Sequence, residues 1–320
     1  MTPSKHETIR LGISSCLLGH PVRYDGGHKL DRFIRDTLGQ YVEFVPVCPE
    51  MECGLSTPRE AMRLVGAPEA PRLVTRNTRI DHTERMLTWA RRRVVELERE
   101  NLCGFIFKKD SPSSGMLRVK VYNNQGMPAK SGSGLFAQAF MKHFPRIPAE
   151  EEGRLHDPAL RENFIERIFA LRRWRLLLEQ DKTLGGLVSF HTREKLLLLA
   201  HSPVHYRQMG KWVADGKRIS VLHCFDHYEQ LFMAALQLKS SVAKNINVLQ
   251  HILGYFKKQL SGMEKQEMLS ILSAYRSGHL PLIVPITLLN HYVRKYDQHY
   301  LAGQTYLNPH PVALGLRNHV

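Results

Sequence analysis

The period of the apolar residues changes once along this chain, near Phe144, and that change decides what kind of fold it can adopt. Before it, short β-branched and aromatic runs alternate with amphipathic stretches, the pattern of a parallel sheet covered by helices. Residues 9–14, 41–47, 103–108 and 118–122 read as strands, and 31–38 as a helix. A stronger helix is predicted over 83–101, where Met86, Trp89, Ala90, Val94 and Leu97 recur at helical spacing. After Phe144, Pro145, Pro148 and the acidic residues 150–152 punctuate the chain, and Asp157 with Pro158 reads as a helix start. Leucine-rich helical periods follow over 161–179, 192–201, 204–215, 228–238, 242–260, 265–277 and 286–300. The expectation is an α/β, Rossmann-like domain over 1–147 and an all-α domain over 148–320, with no internal repeat.

Composition agrees with two packed domains. A chain of 320 residues with 43% hydrophobic content buries two cores of ordinary size and is not disordered as a whole. Its 45 Lys+Arg outweigh 30 Asp+Glu, for a formal charge of +15, of which +7 falls in residues 1–150 and +8 in 151–320. Charge spread so evenly attracts polyanions and anionic metabolites without marking a footprint, and a solvated surface is its commonest meaning. Five cysteines, with no charged-then-apolar leader over 1–19, point to the cytoplasm and away from a disulfide framework. No run reaches the roughly 18 apolar residues of a membrane span, so a soluble protein is expected.

Which strand ends carry the cysteines is the next question, because open parallel sheets place their chemistry at the carboxyl ends. Cys16 follows the strand at 9–14 and Cys48 the strand at 41–47, so both are expected at that edge. Cys53 lies in a Pro- and Gly-containing loop five residues on and can return to it. Cys103 begins its strand instead, and six residues at ~3.3 Å each set it at the opposite edge. These strand-edge positions nominate Cys16, Cys48 and Cys53 as a thiolate trio, with Cys103 and Cys224 as buried packing cysteines. Three soft ligands suit an iron-sulfur cluster or zinc, and a cubane held by three leaves one iron open to a sulfur-bearing substrate.

Five ordered motifs carry a resemblance: Gly-Ile-Ser-Ser-Cys-Leu-Leu-Gly at 12–19, Val-Arg-Tyr-Asp-Gly at 22–26, Pro-Val-Cys-Pro-Glu at 46–50, Gly-Leu-Ser-Thr-Pro-Arg at 54–59 and Lys-Lys-Asp-Ser-Pro-Ser-Ser-Gly at 108–115. Over about the first 145 residues the chain resembles the thiouracil desulfidase (TudS) family, and from roughly Leu187 to Tyr300 it looks like a YbgA-like domain. The resemblance implies an α/β fold, a 4Fe-4S cluster on three cysteines, and hydrolytic removal of sulfur from 2-thiouracil or related thiolated nucleobases. By motif, Cys16 and Cys48 are implied cluster ligands, and Glu50 and Ser111 stand where the family keeps polar active-site residues. Many members read Ser-Pro-Ser-Cys-Gly where this chain has Ser114; Cys53 is the replacement favoured by the strand-edge argument, ahead of Cys103.

The chemistry asked for is exchange of a thiocarbonyl sulfur for oxygen. Glu50 is the candidate to take the proton of the attacking water, Ser111 and Ser113 are candidates to hold the base, and Arg23 and Asp25 to shape the pocket. Each has an ordinary reading too: a turn carboxylate, a Ser-Pro-Ser-Ser-Gly turn, a Tyr-Asp-Gly turn. Arg59 is equally an anion clamp or a surface charge. His191, Lys195 and His201 lie near helical spacing among leucines and read as caps and surface groups, not a site. Competing functions are desulfuration or thiolation of a base within tRNA, with the basic helical half gripping RNA, and a zinc-stabilised binding module without catalysis.

Overall fold

The structure is a computed structural model that describes residues 8–123, 125–218 and 220–320. Residues 1–7 of the segment searched for a leader therefore lie outside the described residues. The chain divides into two compact units, the first ending at Asp157 and the second running Pro158–Val320.

The first unit is built on two four-stranded sheets. Strands β1 (Ile9–Ser14), β2 (Val42–Val47), β5 (Gly104–Phe107) and β8 (Ala149–Glu151) form one sheet in the order β2-β1-β5-β8, parallel throughout. A second, mixed sheet has the order β4-β3-β6-β7 from β3 (Met62–Val65), β4 (Arg72–Thr75), β6 (Val119–Tyr122) and β7 (Pro128–Gly132). The helices are the single turn α1 (Pro49–Glu52), α2 (Thr83–Glu98) and α3 (Leu135–His143). Central β1 is buried along almost its whole length, as a parallel strand with both faces covered must be. Gly12 is required there, because a Cβ would stand 2.2 Å from the Phe105 ring of neighbouring β5. Between the sheets and helices lies a core that includes Trp89, Phe105, Phe107, Phe136 and Phe140.

The predicted strands 9–14, 41–47, 103–108 and 118–122 are found within a residue or so of expectation. Residues 31–38 form a π-helical turn, Phe33–Thr37, followed by a 3-10 turn, Leu38–Gln40. The second sheet was not anticipated: β3, β4 and β7 are short and flanked by charged residues, so they lack a run long enough to show period two. The acidic residues at 150–152, read as punctuation, are structural. β8 adds to the parallel sheet through Phe105↔Ala149 and Phe107↔Glu151, and so the first unit continues past the expected boundary at 147.

The second unit contains α4 (Pro158–Gln180), α5 (Leu184–His201), α6 (Pro203–Ala214), α7 (Val221–Gln237), α8 (Val242–Gly254), α9 (Gly262–Arg276), α10 (Ile283–Lys295) and α11 (His299–Ala302). Serines at 202, 220, 241 and 261 cap α6, α7, α8 and α9 by accepting a backbone N–H three residues on, each worth about 1 kcal/mol. Its aromatic centre is Trp174, stacked on Tyr228 at 5.2 Å and edge-on to Phe190. His201 is part of the core: buried, it pairs with Glu166 at 3.0 Å, and Glu166 pairs with Arg317 at 2.7 Å. No helix among the described residues is long and apolar enough to cross a membrane.

Candidate active site

Three carboxyl ends of the parallel sheet meet at one place. Sequence order reverses in the sheet between β1 and β5, leaving a crevice at their ends. The Lys108 N–H, just past β5, donates to the Ser14 hydroxyl at 2.9 Å and ties the two ends together. A cavity of about 350 Å³ opens there, lined by Cys16, Cys48 and Glu50 from the β1 and β2 ends, Lys108, Ser111 and Ser114 from the β5 end, and Arg23, Tyr24, Lys29 and Arg59 from loops.

Cys16 and Cys48 are both buried in this wall. Cys16 sits on the 3-10 turn Ser15–Leu18 that leaves β1 and closes on Gly19 in the left-handed region, at φ 96°. Burial pushes its thiol up to about 11, against the pull of Lys108. Cys48 precedes Pro49, the first residue of α1, and its Sγ lies 3.7 Å from Glu50 Oε2. Burial first, and the Glu50 carboxylate second, push this thiol up to about 12.

Cys53 has a different environment. It is half-buried, its Sγ donates to the Glu50 carbonyl at 3.3 Å, and it packs on the core cluster outside the cavity lining. Among the described residues no group of three or more His, Cys, Asp or Glu is gathered for a metal ion. The structure thus brings two of the three nominated thiols to one cavity, with the buried Ser114 hydroxyl group as a further lining donor. Two buried thiols among cations match the donor chemistry of a soft, anionic metal-sulfur group, and Cys16 and Cys48 are the residues that could hold one. Cys103 is buried at the start of β5, where its N–H donates to Arg10 O, away from the cavity.

Glu50 is held by the opposite loop. Ser113 donates to its Oε1, and Arg59 Nη2 lies 3.8 Å from its Oε2. Ser111 and Ser113 hydroxyls are 2.9 Å apart. Because the Ser113 proton is given to the carboxylate, its oxygen accepts the Ser111 proton, making a directed chain from the cavity wall to Glu50. Ser113 itself is fully buried and stands behind the wall. Ser111 Oγ in turn accepts the Ser114 N–H at 3.0 Å, which shapes the loop. Arg23 lines the cavity, whereas exposed Asp25 lies outside it, paired with Arg23 at 3.5 Å and kept below its usual pKa by the Gly27 N–H.

Two groups escaped the sequence reading. Lys108 lines the cavity and its ammonium donates to Glu152, whose other oxygen takes the Lys109 N–H at 2.7 Å. Glu151 accepts the Met116 and Leu117 N–H groups at 2.8 and 3.2 Å. The end of β8 therefore clamps both flanks of the Ser-Pro-Ser-Ser-Gly loop. The available signal was three consecutive acids after an alternating stretch, which reads equally as a linker. In all, Arg23, Lys29, Arg59, Lys108 and Lys109 line the cavity against the carboxylates of Glu50 and Asp110, an electropositive surface suited to an anion.

Residues 11–152 match the family model of 2-thiouracil desulfurase, and residues 195–311 match that of a protein family of unknown function, DUF1722. The uncharacterized protein YbgA of Escherichia coli (strain K12) is 35% identical over 153 residues, 48% of this chain and 90% of that protein. The chain belongs to the YbgA-like family and carries a 2-thiouracil desulfurase family domain. The uncharacterized protein YbbK of Bacillus subtilis (strain 168) is 31% identical over 147 residues, 44% of this chain and 95% of its own. A solved structure of the 4Fe-4S-dependent thiouracil desulfidase TudS is similar over 48% of this chain and 97% of that one, at 28% identity and a TM-score of 0.39. In this YbgA-like chain the desulfurase-family domain spans the crevice just described, and the DUF1722 domain lies within the helical unit.

Proposed function

We infer that the first unit is a desulfidase that hydrolyses a thiolated pyrimidine base, exchanging C=S for C=O and releasing hydrogen sulfide. The observation that carries this reading is Glu50, set 3.7 Å from a buried thiol and tethered through Ser113 to the cavity-lining Ser111. The 2-thiouracil desulfurase family match over residues 11–152 supports it. Cys16 and Cys48 would hold a 4Fe-4S cluster, with Cys53 the remaining thiol in reach of the same loop. When bound, such a group supplies an iron that draws charge from the substrate's sulfur.

The protein's own groups divide the remaining work. Arg23, Lys29 and Lys108 favour negative charge as it builds on the departing sulfur. Ser111 lines the cavity where the base would sit. Glu50 accepts one proton from the water that attacks the thiocarbonyl carbon and returns it to the departing sulfur; as the C–S bond breaks, the new oxygen gives up its remaining proton, so water's oxygen becomes the C=O, both its protons leave with sulfur as hydrogen sulfide, and oxidation states do not change. Ser113 and Arg59 fix the carboxylate in place for that transfer.

Anaerobically reconstituted protein should be brown, carry about four irons per chain as a cubane requires, and release sulfide from 2-thiouracil. A colourless zinc-loaded protein that releases none would replace this reading with the structural-zinc one. Iron content in Cys53→Ser and Ser114→Ala variants identifies the third protein ligand independently of turnover.

A further inference from the structure

The cavity at the sheet ends is walled by hydroxyl groups, charges, thiols and aliphatic side chains, and among its lining residues Tyr24 is the one aromatic ring. That ring is 45% exposed, with the Arg23 guanidinium over it at 5.5 Å. A tyrosine placed for packing buries its ring and leaves only the hydroxyl wet; this one leaves nearly half its surface open in a cavity wall. Its backbone is nonetheless held from two sides. The Arg59 N–H donates to the Tyr24 carbonyl at 2.8 Å, and Arg59 Nη1 donates to the Val22 carbonyl at 3.1 Å. On the other side the Gly26 N–H closes a turn on the Arg23 carbonyl at 2.9 Å, with Gly26 in the left-handed region at φ 77°. Arg59 also reaches Glu50 at 3.8 Å, so one residue sets the Tyr24 loop and the carboxylate in a common frame. A ring fastened in this way is a preformed surface, which lowers the cost of binding to it. A heteroaromatic base has two flat faces that hydroxyl groups and cations at its edge leave uncovered, and an aromatic side chain is the group that takes such a face out of water.

We propose that Tyr24 is a specificity-determining residue of this site: its ring stacks on the ring of the substrate, so the site selects flat aromatic thiones over saturated thiocarbonyl compounds that carry the same polar groups. The inference rests on the desulfidase reading for the chemistry done in the cavity; the stacking itself stands on Tyr24 and the Arg59 strap that holds it. The phenolic hydroxyl has no part in it, so phenylalanine serves as well and an aliphatic residue does not.

The test is equilibrium binding of uracil and 5,6-dihydrouracil to the anaerobically reconstituted full chain and to its Tyr24→Leu and Tyr24→Phe variants, beside kinetics on 2-thiouracil. Dihydrouracil keeps every N–H and carbonyl of uracil and loses only the flat aromatic ring. Stacking on one side chain should favour uracil by about tenfold or more. That ratio should fall toward one in Tyr24→Leu and return in Tyr24→Phe. KM for 2-thiouracil should rise by a similar factor in the leucine variant, with kcat changed less and iron content equal to that of the parent. Equal affinity of the parent for the two ligands, a ratio untouched by Tyr24→Leu, or a phenylalanine variant as poor as the leucine one overturns the stacking role. If the parent prefers uracil, loses that preference in Tyr24→Leu and yet releases no sulfide from 2-thiouracil, the stacking survives and the desulfidase reading fails. Binding of neither uracil nor 2-thiouracil removes both.

Discussion

Glu50 meets three demands with one side chain: it faces a thiol, accepts a hydrogen bond from Ser113 and lies within reach of Arg59. Replacing it by Gln keeps shape and removes the base. Sulfide release should fall by about 10²–10⁴-fold, with iron content and thermal midpoint close to those of the parent; a rate within a factor of two would end its role. Ser113→Ala should act through Glu50, lowering kcat more than it raises KM, because the serine is buried behind the wall. Cys16→Ser should instead lower iron content along with activity. Much of this set is legible in the sequence, since each residue follows a strand that its own β-branched run announces. What was not legible is which thiols face inward: Cys53 lies five residues past Cys48, and only the single turn of α1 shows its sulfur directed to the Glu50 carbonyl.

Elements position the site by gripping its loops. The N-terminus of α3 holds Ser113: the Phe136 and Ala137 N–H groups both point at its carbonyl, at 2.9 and 3.2 Å, and Gly134 abuts it so closely that a Cβ would stand 2.4 Å from the Ser113 carbonyl. Gly134→Ala must therefore move the loop or the helix. It should cost about 1–3 kcal/mol of stability, the usual penalty of overpacking, and depress sulfide release beyond what the lost stability explains; urea denaturation beside kinetics checks both. Neither α3 nor β8 was expected from the sequence. α3 has nine residues, shorter than the window over which a helical period is read, and β8 is three residues long, too short for alternation to register. Both exist because neighbours give them partners: the hydrophobic cluster takes Leu135, Phe136 and Phe140, and β5 takes β8.

At the scale of the whole molecule, two units answer to different physics. The helical unit is fastened by an ion network in which Arg317 joins Glu162 on α4 at 3.3 Å and Glu166 at 2.7 Å, while His201 presents Nε2 to Glu166 and Nδ1 to the Leu238 carbonyl, each an acceptor. Hydrogen bonds and charge from His201 and Arg317 outweigh burial and hold the Glu166 carboxyl well below its ordinary 4.5. In acid the unfolded chain then binds a proton that the folded one does not, so this stabilisation is complete above about pH 5 and declines as pH falls through the carboxylate range. The thermal midpoint should drop steeply over that window, and Glu166→Gln should flatten the drop while lowering stability at pH 7 by about 3–5 kcal/mol, the usual cost of leaving a buried partner charge uncompensated. From the sequence alone came the α/β-then-α order, the strand ends at which the cavity lies, and a trio of thiols of which Cys16 and Cys48 line it beside Glu50, because hydrophobic period and turn residues act locally. Only the tertiary structure decided that Ser113 serves Glu50 and that three acids at 150–152 clamp the opposite loop. Those depend on which distant segments pair, and pairing is settled by the fit of whole surfaces, which no short stretch of residues encodes.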